Sequence, residues 1–186
     1  MGFCLFNQVA IAARYVQEKY GVKRVLIVDW DVHHGNGTQE VFYTDPSVFY
    51  FSTHQHPFYP GTGAAGETGA GAGQGTTLNV PLPAGSGDAE IIRAFREQLM
   101  PAAETFQPEF VFISAGFDAH RQDPLAQLQV TEVGYATLTR LVMDIAERFA
   151  AGRIVSMLEG GYHLEALPRS VAAHLRVLMG HAAEER

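Results

Sequence analysis

The chain has 186 residues, with 13 Lys and Arg against 20 Asp and Glu, a formal charge of -7, 47% hydrophobic and 18% charged residues. That is globular composition, and the length suffices to bury a core without disulfide or metal staples. The acidic balance argues against direct nucleic-acid binding, which needs clustered Lys and Arg, and no apolar run reaches the ~18 residues of a membrane span.

The chain opens abruptly: Met1 is followed at once by the apolar Gly2-Phe3-Cys4-Leu5-Phe6, as if it began inside a domain. No basic segment leads into an apolar core, so no signal peptide is expected. The single cysteine, Cys4, rules out an internal disulfide and fits a reducing, cytoplasmic compartment. Residues 7–20 are Ala-rich with apolar positions at helical spacing, and Gly21 is placed to stop that helix. Val25-Leu26-Ile27-Val28-Asp29-Trp30 predicts a buried strand, and Val48-Phe49-Tyr50-Phe51-Ser52 a second. Residues 54–87 break the rhythm: nine of the nineteen glycines fall between Gly61 and Gly87, among Pro57, Pro60, Pro81 and Pro83. The expectation is one long functional loop, partly packed through Phe58-Tyr59-Pro60. Residues 88–106 are amphipathic, with a kink or break expected at Pro101. Phe110-Val111-Phe112-Ile113-Ser114 predicts a third strand. Residues 131–151 follow as a helix between the N-cap Thr131 and the stop Gly152. Ile154-Val155-Ser156-Met157-Leu158 is a fourth strand, and residues 164–179 a last helix. Strands alternating with helices give an α/β fold of three layers, a mostly parallel sheet with helices on both faces.

Ligands of open α/β sheets bind outside the carboxyl ends of the strands. Three strand ends here are loaded with polar groups. The first reads Asp29-Trp30-Asp31-Val32-His33-His34-Gly35-Asn36-Gly37. In an extended segment the spacing of Asp31 and His33 puts both side chains on one side, able to share a cation, with Asp29 on the same face. The third strand ends in Ser114-Ala115-Gly116-Phe117-Asp118-Ala119-His120, and the fourth in Glu159-Gly160-Gly161-Tyr162-His163. Two carboxylates and an imidazole leave open coordination positions, as a catalytic metal requires; the donor set suits Zn²⁺, with Fe²⁺ and Co²⁺ left open. Taken singly, each of these segments also reads as an ordinary cap or turn. Their joint occurrence at successive strand ends favours a site.

Asp29-Trp30-Asp31-Val32-His33-His34-Gly35-Asn36-Gly37-Thr38-Gln39 resembles the metal-binding segment of the histone deacetylase family. Gly2-Phe3-Cys4, Phe58-Tyr59-Pro60-Gly61-Thr62-Gly63, the Ser114–His120 segment and Glu159-Gly160-Gly161-Tyr162 resemble further family motifs, in the family's order. Asn36 and the Asp118 to Asp123-Pro124-Leu125 run resemble its class II branch, bacterial deacetylases and acetylpolyamine amidohydrolases. The resemblance implies an arginase/deacetylase-like fold and zinc-dependent removal of acetyl groups from acetyl-lysine side chains, with acetylpolyamines as the alternative substrate. Asp31, His33 and Asp118 would then be zinc ligands, and Tyr162 the donor to the oxyanion of the tetrahedral intermediate. Phe3 and Tyr59 would wall a substrate tunnel, with Leu125 at its rim and Gly161 at its floor. Asp29, Ser52 and Thr53 would hold a structural potassium ion, and Phe42, Asp45 and Val48 a second. His34 and Asn36 would lie behind the metal ligands.

The family's adjacent histidine pair, general base and acid, lies shortly before its Gly-Phe-Cys motif. In this chain that motif begins at Gly2, so residues 1–186 read as an N-terminally truncated, partial catalytic domain, with Asp29 and Asn36 left without partners. The expectation is a chain that binds metal but deacetylates weakly or not at all. A cut sheet calls for a completing chain or a homo-oligomer. The rival reading is a noncatalytic metal-binding fragment.

Overall fold

A computed structural model describes residues 5–181. Phe3, expected in the tunnel wall, lies outside them. Five strands form one wholly parallel sheet: β1 (Val25–Asp29), β2 (Val48–Gln55), β3 (Thr77–Leu82), β4 (Phe110–Ala115) and β5 (Ile154–Leu158), in the order β3-β2-β1-β4-β5. The helices are α1 (Gln8–Tyr20), α2 (Asn36–Phe42), α3 (Asp88–Ala94), α4 (Met100–Phe106), α5 (Glu132–Phe149) and α6 (Ala166–Leu178). None of the described helices is long and apolar enough to cross a membrane.

The two-residue alternation of β1 explains the layers. Leu26, Val28 and Trp30 enter a large core with Phe51, Ile113 and side chains of α3 to α5 such as Ile91, Leu138 and Val142. Val25 and Ile27 point the other way, into a second core with Val9, Ala13 and Val16 of α1, Phe42 of α2, Tyr50 and Phe112. Every residue of β1 is buried because both faces are covered, and each such aliphatic side chain contributes about 1.5–3 kcal/mol over exposure. The helix ends follow local rules. The Asn7 side chain accepts the Ala10 N–H at 2.9 Å, and Gly21, at φ 68°, closes α1. Thr131 caps α5 and its hydroxyl donates to Asp88.

Two expectations change, and one element is new. The Gly-rich segment is not all loop: Thr77–Leu82 pairs with β2 as a fifth strand. It is an edge strand, which tolerates Pro81 without an amide hydrogen. Residues 36–42 form a short helix. The chain does not break at Pro101. A π turn over Phe95–Leu99 widens the helix just before the proline and α4 continues beyond it, so the missing amide falls where the hydrogen-bond ladder has already shifted.

At the other edge, among the described residues, β5 has a neighbour only in β4, and its Val155 and Leu158 are exposed. Because all strands run in parallel, their carboxyl ends gather at one rim. β1 is the central strand, so whatever follows Asp29 stands between the ends of β2 and β4.

Candidate metal centre

Past Asp29 the chain from β1 carries Asp31 and His33, and the chain from β4 carries Asp118. The structure brings these three together, with one donor atom of each within 4.8 Å of the others. His33 Nδ1 lies 3.1 Å from Asp31 Oδ1 and 3.3 Å from Asp118 Oδ2. Backbone amides hold the two carboxylates: Val32 N–H donates to Asp118 Oδ1 at 2.9 Å, and Gly160 N–H to Asp31 Oδ2 at 2.9 Å. Gly160 is required there by space. A Cβ would run into Asp118 Oδ2 and stand 2.7 Å from Asp31 Oδ2.

The electrostatics describe a site lacking positive charge. Burial pushes the Asp118 carboxyl up to about 7, with the Asp31 charge adding to it. Burial and Asp31 likewise raise Asp29, well above the ordinary carboxylate value, and Glu159. Burial alone would lower the His33 imidazole; the hydrogen bonds and charges of Asp118 and Asp31 outweigh it and raise it to about 10. Asp118 is fully buried, yet its Oδ2 has no hydrogen-bond partner of good geometry among the described residues. A buried, orphaned carboxylate oxygen aimed at an imidazole and a second carboxylate fits a divalent cation: two oxygens and one nitrogen, with coordination positions left over.

The other expected residues are distributed as follows. Asp29 is not without partners: Tyr50 O–H donates to its Oδ2 at 2.9 Å and Asp31 N–H to its Oδ1 at 3.1 Å. The reason is the parallel register, which sets Tyr50 on the same face two residues below the strand end. Asn36 does have a buried Oδ1 with no partner among the described residues. His34 is tied on both ring nitrogens, to Thr62 Oγ1 at 2.8 Å and Gln39 Oε1 at 3.0 Å, and burial lowers its pKa. Ser52 pairs with Asp29 across the sheet, its hydroxyl 2.9 Å from His54 Nδ1, while the next hydroxyl, Thr53 Oγ1, is buried and unpartnered among the described residues. Phe42 and Val48 are core residues, and the Asp45 carboxylate is engaged by Ser47 and Arg14. A second cation there would have to use main-chain oxygens. Tyr59 and Leu125 are exposed at the rim. Gly161 adopts φ 148°, which side chains rarely allow, and Tyr162 follows it, 40% exposed, with its N–H donating to Asp123 Oδ2.

Sequence reading passed over Phe58, Asp123 and Glu159 as site residues. Phe58 stacks on the His33 ring, centroids 5.2 Å apart at 23°, with Tyr59 edge-on at 6.2 Å. Asp123 accepts the amides of both Tyr162 and Leu125. Phe58 precedes Tyr59, Asp123 lies two residues before Leu125 and Glu159 precedes the Gly160-Gly161 pair, positions that spacing alone does not convert into contact. A surface cleft of about 320 Å³ lined by Asn36, Gln39, Glu40, Tyr43, Thr62 and Glu67 opens beside α2, and none of the trio lines it.

Residues 1–178 match the family model "Histone deacetylase domain". "Histone deacetylase 14, chloroplastic" of Arabidopsis thaliana is 51% identical over 180 residues, covering 97% of this chain and 43% of that protein. "Polyamine deacetylase HDAC10" of Mus musculus is 48% identical over 186 residues, covering 96% of this chain and 27% of its own length. The crystal structure of the HDA15 HD domain superposes with a TM-score of 0.90 at 48% identity, over 99% of this chain and 52% of that one. The chain thus spans less than half the length of these curated relatives.

Proposed function

This chain belongs to the histone deacetylase family, and on that premise we propose that its strand-end trio is the zinc centre of an amidohydrolase acting on acetyl-lysine side chains. The observation that carries the proposal is the convergence of Asp31, His33 and the orphaned Oδ2 of buried Asp118 within 4.8 Å. A bound divalent metal polarises an amide carbonyl and lowers the pKa of a water. Every other contribution comes from the chain itself. Asp31, His33 and Asp118 hold the metal, and the amides of Val32 and Gly160 fix the two carboxylates. Phe58, stacked on His33, and Tyr59 supply an apolar wall along which the methylenes of a lysine arm can lie. Tyr162 donates to the oxyanion as charge develops there, an interaction made only in the transition state. The buried Asp29 carboxylate with Ser52 and the unpartnered Thr53 hydroxyl supports a structural potassium ion behind the metal.

The only adjacent histidines in these 186 residues are His33 and His34. His33 is a ligand, and both His34 ring nitrogens are committed to Thr62 and Gln39. With neither left as a positioned base, the chain by itself is slower than a complete site by about 10²–10⁴-fold. Acetylpolyamine is the second substrate reading, favoured by the likeness to a polyamine deacetylase. Zinc titration of the purified chain tests the centre. One ion per chain is expected, lost in Asp31→Ala and Asp118→Ala with the fold retained; stoichiometric zinc in both variants would refute it. Acetyl-lysine peptide and acetylpolyamine turnover, measured side by side, decides the substrate. Turnover by this chain at rates ordinary for metal amidohydrolases would refute the impairment.

A further inference from the structure

We propose that Asp123 is a positioning residue for Tyr162, a single buried carboxylate that clamps the oxyanion donor and the tunnel rim in one geometry. Asp123 is 7% exposed, and each of its oxygens takes one backbone amide. Oδ2 accepts the Tyr162 N–H at 2.8 Å and Oδ1 accepts the Leu125 N–H at 3.0 Å. Its own N–H donates to the His120 carbonyl at 2.8 Å. The segment that carries it is anchored in turn: Gln122 N–H donates to His120 Nδ1, and Arg169 of α6 reaches Gln122 and Glu132. The carboxylate therefore sits on a fixed support and reaches out to the segments that carry Tyr162 and Leu125.

Tyr162 needs such a support. It follows Gly161, whose φ of 148° no ordinary side chain enforces, and it is 40% exposed. On the near side of Gly161 the chain is pinned, because Gly160 donates to Asp31 and its carbonyl accepts the Phe117 N–H at 2.7 Å. On the far side the Asp123 carboxylate holds the Tyr162 amide. Two anchors straddling one glycine define the direction in which Tyr162 leaves the backbone. Bonds from backbone amides to a buried carboxylate are charge-assisted and directional, which suits this task. The same carboxylate sets Leu125, so rim and oxyanion donor move together. The inference rests on Tyr162 being the oxyanion donor.

The test uses the zinc-loaded chain and a trifluoromethyl ketone analogue of acetyl-lysine, whose hydrate presents a tetrahedral oxyanion. Tyr162→Phe and Asp123→Ala are each expected to weaken ketone binding about tenfold, the value of one hydrogen bond to a charged group. Because Asp123 acts through Tyr162, the double variant is expected within about twofold of either single one, where independent effects would multiply. Zinc affinity is expected to stay unchanged. Amide exchange at Tyr162 and Leu125 is expected to accelerate at least about tenfold in Asp123→Ala, with the β1 amides as protected as before. Asp123→Asn, which keeps the volume and one acceptor oxygen, serves where the alanine variant fails to fold, and releases one of the two amides. Multiplicative losses in the double variant, or an unchanged exchange rate at Tyr162, would overturn the proposal. Undiminished ketone binding by Tyr162→Phe would overturn the oxyanion-donor reading instead; accelerated Tyr162 exchange in Asp123→Ala would still establish the tether.

Discussion

Zinc entering the Asp31, His33, Asp118 centre should expel protons, and their number follows from the geometry. Burial alone would lower the His33 pKa, but Asp118 and Asp31 raise it to about 10, so at neutral pH the ring carries two protons. Asp118, at about 7, carries about half a proton at pH 7. A metal takes lone pairs from both groups, so both must be deprotonated on loading. The expected release is about 2 protons at pH 6, about 1.5 at pH 7 and about 1 at pH 8.5, where only His33 still contributes. The sign is fixed: the empty site binds more protons than the loaded one, so affinity rises with pH, about 100-fold per unit near pH 6 and about tenfold per unit near pH 8.5. Isothermal titration calorimetry in buffers of different ionisation enthalpy measures the release directly. Release near zero across the range would mean that His33 is neutral in the empty site, and that the carboxylate pair does not govern it.

Three further outcomes are expected. Gly160→Ala places a Cβ against Asp118 Oδ2 and 2.7 Å from Asp31 Oδ2; zinc binding should weaken more than about tenfold, or about 1.4 kcal/mol, while a circular-dichroism spectrum matching the parent reports an intact fold. The buried His174, held by Thr139 and Ser156 between Trp30 and Phe117, is lowered by burial from 6.5 to about 4. The unfolded chain therefore protonates first, so the contribution of neutral His174 to stability is complete above about pH 6.5 and lost as pH falls toward 4; about 2 kcal/mol is gone by pH 5. Urea denaturation at pH 8 and pH 5 should show a smaller difference between the two pH values for His174→Gln than for the parent, and equal differences would refute the assignment. Finally, the open edge of β5 exposes Val155 and Leu158, so the 186-residue chain should self-associate in sedimentation velocity, and Val155→Lys with Leu158→Lys should shift it toward monomer; a parent that is monodisperse and monomeric would count against the edge as the cause.

The long apolar runs at residues 25–30, 48–52, 110–114 and 154–158 were legible as strands because a parallel strand covered on both faces needs no alternation to announce itself. Asp31 and His33 were legible as partners because their spacing along an extended chain puts them on one side, and the Gly-Gly pair before Tyr162 because only glycine admits the backbone there. Other features had no local signal. β3 hides in a Gly- and Pro-rich segment, and what makes it a strand is the edge of β2. α2 has seven residues, a glycine at its N-cap and no side-chain capping bond; packing against the sheet sustains what propensity alone would not. The order β3-β2-β1-β4-β5 is what puts β1 at the centre and brings Asp118, 87 residues downstream of Asp31, within reach of it. The same packing gives Asp29 the Tyr50 hydroxyl, lays Phe58 on His33 and sets Asp123 beneath Tyr162. Donor types and their spacing within a strand are properties of the chain, so the chemistry of the centre could be read in order along it. Which donors meet, and what holds them there, depends on contacts between residues far apart in sequence, and only the folded sheet creates those.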